Sequence, residues 1–346
     1  MPYNEVKIDM HKLSIPYIYY YYYSYKIMHI IQNGMRRLYF DPPYEMVAGK
    51  FKRKWAYIME ATQLVKEGLN SEAPFFVGRF GASELNVMRA LDFGSQRSIE
   101  NSMQQLCQWS GFFPYDIKLA DKFYEIMEGS IRKVDILGTW SLPLEDYYIN
   151  RFTDEKCIVS CLDLLDPKSN PYNPWMASLR DKKVLVIHPF EKTIKKQYYE
   201  KRRLLFDNED MLPQFELDTI KAVQTIAGES DNRFNTWFDA LDYMKGEICK
   251  RDFDIALIGC GAYGFPLGAF VKSIGKKAIH AGGILQTYFG ITGNRWTSVP
   301  EGRITRYSNE HWVFPNEEET PGEARIVEDS AYWKGSNELN AGKWKL

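Results

Sequence analysis

The chain carries almost no net charge: 44 Lys and Arg stand against 45 Asp and Glu in 346 residues, a balance of −1. A dedicated nucleic-acid binder would show a basic excess, so that class is disfavoured. Cysteine is scarce, with five residues at 107, 157, 161, 249 and 260. None form a CxxC pair, and no second pair or nearby histidines complete a zinc site around Cys157 and Cys161. Such usage suits a reducing compartment, so a cytoplasmic location is expected. No internal repeat of solenoid length appears, and no basic start precedes a small-residue cleavage site. What remains is 45% hydrophobic over 346 residues, enough to bury a large core.

The N-terminal stretch LSIPYIYYYYYSY (13–25) is uncharged and intensely aromatic, with Lys26, His29, Arg36 and Arg37 after it. It is shorter than the about 20 apolar residues that span a bilayer. Tyrosines flanked by basic residues favour a membrane interface, so peripheral contact through residues 13–37, at the inner face of a membrane, is one expectation. An edge segment packed on the core is another. A non-native extension over residues 1–27 is a third, since Met28 can start a chain.

Farther along, short apolar runs alternate with helical stretches. PFFVGRF (74–80), VDILGTW (134–140), KKVLVIHPF (182–190), FDIALIGCG (253–261) and KKAIHAGG (276–283) read as strands. Helices are expected over 83–92, 116–130, 191–204, 231–250 and 265–274, with a further amphipathic one over 44–68. Continuous rather than alternating apolar strands point to an α/β, Rossmann-like fold with a mainly parallel sheet flanked by helices. The expected layout is an N-terminal extension (1–43), one catalytic domain (44–315) and an acidic to polar tail (316–346) over the surface or disordered.

Gly259-Cys260-Gly261-Ala262-Tyr263-Gly264 matches GxGxxG after one strand and before a helix, where Pro266 suits the first turn. Such a turn lets backbone approach an anion and aims helix N–H groups at it. A dinucleotide site would also need an acid about 20 residues on. No acid occurs between Ile255 and Pro300, whereas Lys272, Lys276, Lys277 and Arg295 do. The next strand ends in His280, Ala281, Gly282 and Gly283, with Gln286 just beyond. Two glycine turns without acids suit a phosphate-bearing ligand; NADP stays open, since a base can replace the acid, and so does simple tight turning. His188, ending another strand before Lys192, falls on the same rim by the rule that ligands bind at the carboxyl ends of parallel strands.

VGRFGASELNVM (77–88) places Arg79 at a strand end, Gly81 in the turn, Ser83 as an N-cap and Glu84 in the first helical turn. An acid there does no more than complement the helix dipole when taken alone. RFGASE resembles, however, the RFGDGE stretch of bacterial glycosyltransferases with the GT-D fold, and ALIGCGAYGFPLGAF…KKAIHAGG is similar to that family's second nucleotide-side region. The resemblance spans roughly residues 70–296. It implies an enzyme of surface polysaccharide or glycoconjugate synthesis that uses a nucleotide sugar, such as a UDP-sugar, with Mg or Mn on the donor diphosphate. The family aspartate falls on Ala82, so Glu84 alone carries over, as metal ligand or general base, with Arg79 as the second catalytic candidate.

Donor contacts are expected from Gly81, Ser83, His188, Lys192, Gly259, Gly261, Tyr263, Gly264, His280, Gly282, Gly283, Gln286 and Arg295. GTWSLPLEDYYINRF (138–152) has the aromatic and acidic composition of a sugar-binding loop, making Trp140, Glu145, Asp146 and Tyr147 the acceptor-side candidates. Trp175, Trp237 and Trp296 could stack on a sugar in the same way, although tryptophan more often packs in the core. The acceptor is a glycan or lipid-linked glycan. The rival readings are an NADP-dependent oxidoreductase and, given Ala82, a non-catalytic nucleotide-sugar-binding partner in a glycan assembly complex.

Overall fold

The computed structural model describes residues 51–297 and 308–335. The aromatic N-terminus, Met28 and residues 44–50, for which expectations are given above, lie outside them. Among the described residues no helix is long and apolar enough to cross a membrane.

One sheet of eight strands organises the chain. They are β1 (Lys54–Trp55), β2 (Phe75–Arg79), β3 (Ile136–Thr139), β4 (Ile158–Cys161), β5 (Lys183–His188), β6 (Glu216–Lys221), β7 (Ile255–Ile258) and β8 (Lys277–His280). Their order is β1-β4-β3-β2-β8-β7-β5-β6, and every pairing is parallel. The fold is thus α/β, as the apolar runs imply. Both faces are buried, which explains why the strands are continuously apolar. Phe76, Leu185, Ile187, Ala256 and Ile258 pack into one core cluster, while Val77, Val184, Val186, Ile255 and Leu257 pack into the other. That strict alternation is the period-two geometry of a strand with helices on either side.

The first face is covered by α2 (Ala82–Phe93), α3 (Gln96–Ser110), α4 (Ala120–Ile131), α5 (Glu145–Phe152), α7 (Trp237–Cys249) and α8 (Gly264–Ser273). The second takes α1 (Ile58–Asn70), α6 (Glu191–Lys196) and α9 (Leu285–Tyr288); α10 (Asn294–Thr297) follows. In α1 the buried Ala61, Thr62, Val65 and Leu69 lie at helical spacing on one face. The expected helix over 231–250 begins only at Trp237, because Thr236 and Asp239 form a reciprocal capping box there. The one expected over 191–204 keeps α-geometry only to Lys196, then widens and tightens through Leu204. Residues 51–57 are not helical; the 44–68 helix starts at Ile58 in its described part.

The C-terminal segment departs most from expectation. Residues 308–335 are built into the domain, with Ala331 fully buried and Trp333 1% exposed in the second core cluster. Thr292 N–H donates to the Val313 carbonyl (2.8 Å) and Asn294 N–H to that of Trp333 (2.8 Å), so the chain continues across residue 315 without a break. Of the two readings for Trp175, Trp237 and Trp296, the core one holds, since all three are buried.

Topology sets where a ligand belongs. From β5 the chain passes outward to β6, and from β7 it passes inward to β8. Connections leaving in opposite directions open a crevice at the carboxyl ends of adjacent strands, here β5 and β7.

Candidate functional site at the carboxyl edge of the sheet

The turns at that edge touch one another. A Cβ at Gly259 would stand 2.7 Å from the Gly282 carbonyl and 2.9 Å from His188 Cδ2; one at Gly282 would stand 3.0 Å from Arg79 Nε. Four strand ends, β2, β5, β7 and β8, therefore meet as one surface. Gly261 has φ +57°, and a Cβ there would lie 2.5 Å from the Ser110 carbonyl at the end of α3. Gly264 packs against the His280 ring. All three glycines of the GxGxxG pattern thus have steric reasons within the fold, whatever the turn also binds.

The two rim histidines are neutral. Burial pushes each imidazole down to about 3, with the Arg79 charge adding to the effect at His280. Phe190 N–H donates to His188 Nδ1 (3.0 Å), so the ring proton sits on Nε2. His280 Nδ1 lies 3.3 Å from the Ile258 carbonyl, which can only accept; that ring carries its proton on Nδ1 and leaves Nε2 as an acceptor. The edge therefore holds one neutral donor and one neutral acceptor.

At the end of β2, Gly81 rather than Ser83 is the N-cap of α2. Glu84 is 6% exposed and folds its carboxylate back over Gly81, where any Cβ would collide with it. Ser83 Oγ donates to Glu84 Oε2 (2.9 Å) and shares a hydrogen bond with Ser110 Oγ (2.6 Å). Glu84 is thereby held to the rim beside the turn at Gly261.

Arg79 reaches over the same edge. Its Nη1 donates to the Phe80 carbonyl (2.7 Å), its guanidinium carbon lies 5.1 Å from the centre of the Trp140 ring, and its buried Nε has no partner. Trp140 itself is 40% exposed. The residues after it do not form a sugar-accepting loop throughout: Glu145 starts α5 and is fully buried, and Asp146 is 6% exposed. Glu145 Oε2 accepts from Thr139 Oγ1 (2.6 Å) and from Leu142 N–H (2.9 Å), whereas Oε1 is buried without a partner. Burial is the main reason its carboxyl is pushed up to about 7, against the two hydrogen bonds and the Arg79 charge.

Several expected donor contacts face elsewhere. Tyr263 is core, stacked on Trp237 with ring centres 5.1 Å apart, because its apolar body fills the space beneath the turn. Gln286 is fully buried and spends its amide on the Thr292 (3.0 Å) and Tyr332 (3.2 Å) carbonyls. Lys192 pairs with Glu318, and Arg295 with Glu328 while lying over the Tyr332 ring at 4.9 Å. Gly283 packs against the Tyr332 ring. Tyr147 turns its hydroxyl to Arg151. The acidic residues that read as a tail are what engage Lys192 and Arg295. Glu319, 2% exposed, accepts from Lys192 N–H (2.7 Å) and from the Thr193 hydroxyl at the start of α6. Sequence reasoning missed Glu319, Thr139 and Ser110; only the position of Thr139 at a strand end was there to find.

A groove of about 530 Å³ opens beside the outer strand β6, lined by Lys221, Asp231, Arg233, Tyr243 and Glu247 among others. It lies at the opposite flank of β5 from the glycine turns. Its basic groups are partly spent internally: Arg233 pairs with Asp231 (2.6 Å) and covers Tyr243 at 5.2 Å.

Among the described residues no three His, Cys, Asp or Glu side chains gather as they would around a metal ion. With Ala82 beside it, Glu84 is a single carboxylate already bonded to Ser83, so the described residues do not by themselves build the Mg or Mn site that the family resemblance implies.

No protein-family model matches the chain, and no curated protein does. Two solved structures resemble it in shape. One, described as a selenomethionine-substituted domain of unknown function 1792, is 16% identical with a TM-score of 0.40, over 70% of this chain and 82% of that one. The other, described as the same highly conserved domain with a distinct glycosyltransferase fold, is 17% identical with a TM-score of 0.39, over 67% and 79%. The α/β assignment rests on the chain's own sheet.

Proposed function

We propose that the protein is a glycosyltransferase that holds a nucleotide-sugar donor over the carboxyl ends of β2, β8, β7 and β5. The sugar would pass to a glycan or lipid-linked acceptor in cytoplasmic steps of surface-glycan synthesis. One observation carries the reading: the turns at Arg79, His188, Gly259 and Gly282 touch each other at the switch point of a parallel sheet. Arg79 supplies the positive charge in their midst, and the neutral His188 supplies an N–H donor, both suited to a diphosphate.

Chemistry at such an edge is mostly positioning, with fixed donors offsetting the charge that builds on the departing diphosphate. Arg79 is the group best suited to that work. Glu84 holds the turn at Gly81 to α3 through Ser83 and Ser110, so its first role is to keep the edge in shape. No step is assigned to a metal.

Calorimetry with UDP, GDP and NADPH tests the reading. Saturable binding of a nucleoside diphosphate, weakened in Arg79→Ala, supports it; binding of NADPH alone favours an oxidoreductase. A thermal-shift panel of nucleotide sugars with and without Mn²⁺ then reports donor class and metal need together.

A further inference from the structure

Two buried polar atoms at the edge of the site have no partner, and they are complementary. Glu145 Oε1 is an acceptor on a fully buried side chain, and Arg79 Nε is a donor. Arg79 pairs in register with Gly138, the neighbour of Thr139, whose hydroxyl holds the Glu145 carboxylate, so the two side chains belong to adjacent strand ends and the Arg79 charge acts on that carboxyl. A buried donor and acceptor both left open are costly, so each calls for a partner from outside the protein, an ordered water or a ligand group. A hydroxyl, whether of water or of an acceptor, carries both the donor that Oε1 lacks and the acceptor that Nε–H lacks.

The segment between Thr139 and Glu145 is under strain. Ser141 and Leu144 have φ of +59° and +61°, the left-handed region that costs non-glycine residues, and Leu144 stands at the N-cap of α5 without a capping side chain. Trp140, at the start of this segment, is exposed and holds its ring against the Arg79 guanidinium. The segment is tied down by Glu145 itself, through Leu142 N–H and through Thr139, whose hydroxyl oxygen also accepts from Ser141 N–H (3.2 Å). A strained segment fastened by Glu145 is free to move when that carboxylate changes partners.

We propose that Glu145 is the catalytic base of the transfer, reached when the 140–144 segment lifts, and that Arg79 Nε holds the oxygen of the acceptor hydroxyl. The inference rests on the glycosyltransferase reading. Glu145 takes the hydroxyl proton as that oxygen bonds to the anomeric carbon; the bond from this carbon to the donor phosphate oxygen breaks, and its electron pair leaves on the diphosphate. The base must be ionised to act. The charged groups facing it are Asp146 on α5, which holds the carboxyl up, and Arg79 on β2, which draws it down. With the carboxyl at about 7, turnover rises with pH through neutrality.

The test uses the full chain with UDP-glucose, UDP-galactose and GDP-mannose as probes, following donor hydrolysis against pH and donor binding by calorimetry. Glu145→Gln is expected to bind the donor within about threefold of wild type while losing about 100-fold or more in kcat. Thr139→Val removes a hydrogen bond that favours the carboxylate, so it moves the acid limb of the kcat profile to higher pH; this arm decides the matter should Glu145→Gln fail to fold. Retained kcat in Glu145→Gln, or an acid limb unmoved in Thr139→Val, overturns the assignment. A wild-type protein that binds none of the probes refutes the glycosyltransferase reading instead.

Discussion

Replacing Gly259 with alanine drives a methyl group between two turns that touch. The added carbon meets the Gly282 carbonyl at 2.7 Å and His188 Cδ2 at 2.9 Å, both inside van der Waals contact. Neither neighbour yields easily: one is backbone, and the other is a ring fixed by the Phe190 N–H. Overpacking of this kind costs about 1–3 kcal/mol, and fixed neighbours put the variant at the upper end. At about 2 °C per kcal/mol for a chain of this size, the melting temperature falls by roughly 4–6 °C. Gly246 is the control: it lies inside α7 with nothing within 4 Å of a Cβ, so alanine there stabilises by about 0.5–1 kcal/mol. Thermal unfolding of the two variants side by side is the assay. A Gly259→Ala protein that melts with wild type would mean the β7 and β8 turns do not pack as described.

Stability should also depend on pH with a calculable sign. His188 and His280 are depressed to about 3 from an ordinary 6.5, so each contributes stability that is present above 6.5 and is lost as pH falls toward 3. Glu145, raised to about 7 from 4.5, contributes in the opposite sense: its term is full below 4.5 and lost as pH rises through 7. At about 1.4 kcal/mol per pH unit for each group, two against one leave stability rising by about 1.4 kcal/mol per unit from pH 4.5 to 6.5. Urea titrations should show that slope, and Glu145→Gln should roughly double it; a flat profile in both contradicts the burial of these groups. Glu319→Ala strips the buried acceptor from the start of α6 and should cost about 2–4 kcal/mol in the same assay. Glu318→Ala, which breaks only the exposed pair with Lys192, should change nothing measurable, and equal losses from both would undo the distinction.

Five of the eight strands were legible because their burial on both faces leaves an unbroken apolar run. β6 escaped because it is an edge strand whose exposed side is polar, as Glu216 and Lys221 attest. β1 is only two residues long, and β4 has just Ile158 and Val159 before Ser160 breaks its apolar run. The edge residues Arg79, His188, Gly259 and Gly282 could be found because a parallel sheet sends its strand ends to one side. Lys192 and Arg295 could not be excluded from sequence: their partners lie 126 and 33 residues away, in a segment whose acidity read as a solvated tail. Glu145 was visible as a carboxylate in an aromatic stretch, but its burial comes from α5 packing on the sheet, which composition does not reveal.

The most direct measurement is a calorimetric titration of UDP and GDP into wild-type protein and into Arg79→Ala. A diphosphate seated among the converging turns loses a charged hydrogen-bond partner in the variant, so affinity should fall about 10- to 100-fold. Equal affinity in the two proteins would put the nucleotide elsewhere on the molecule.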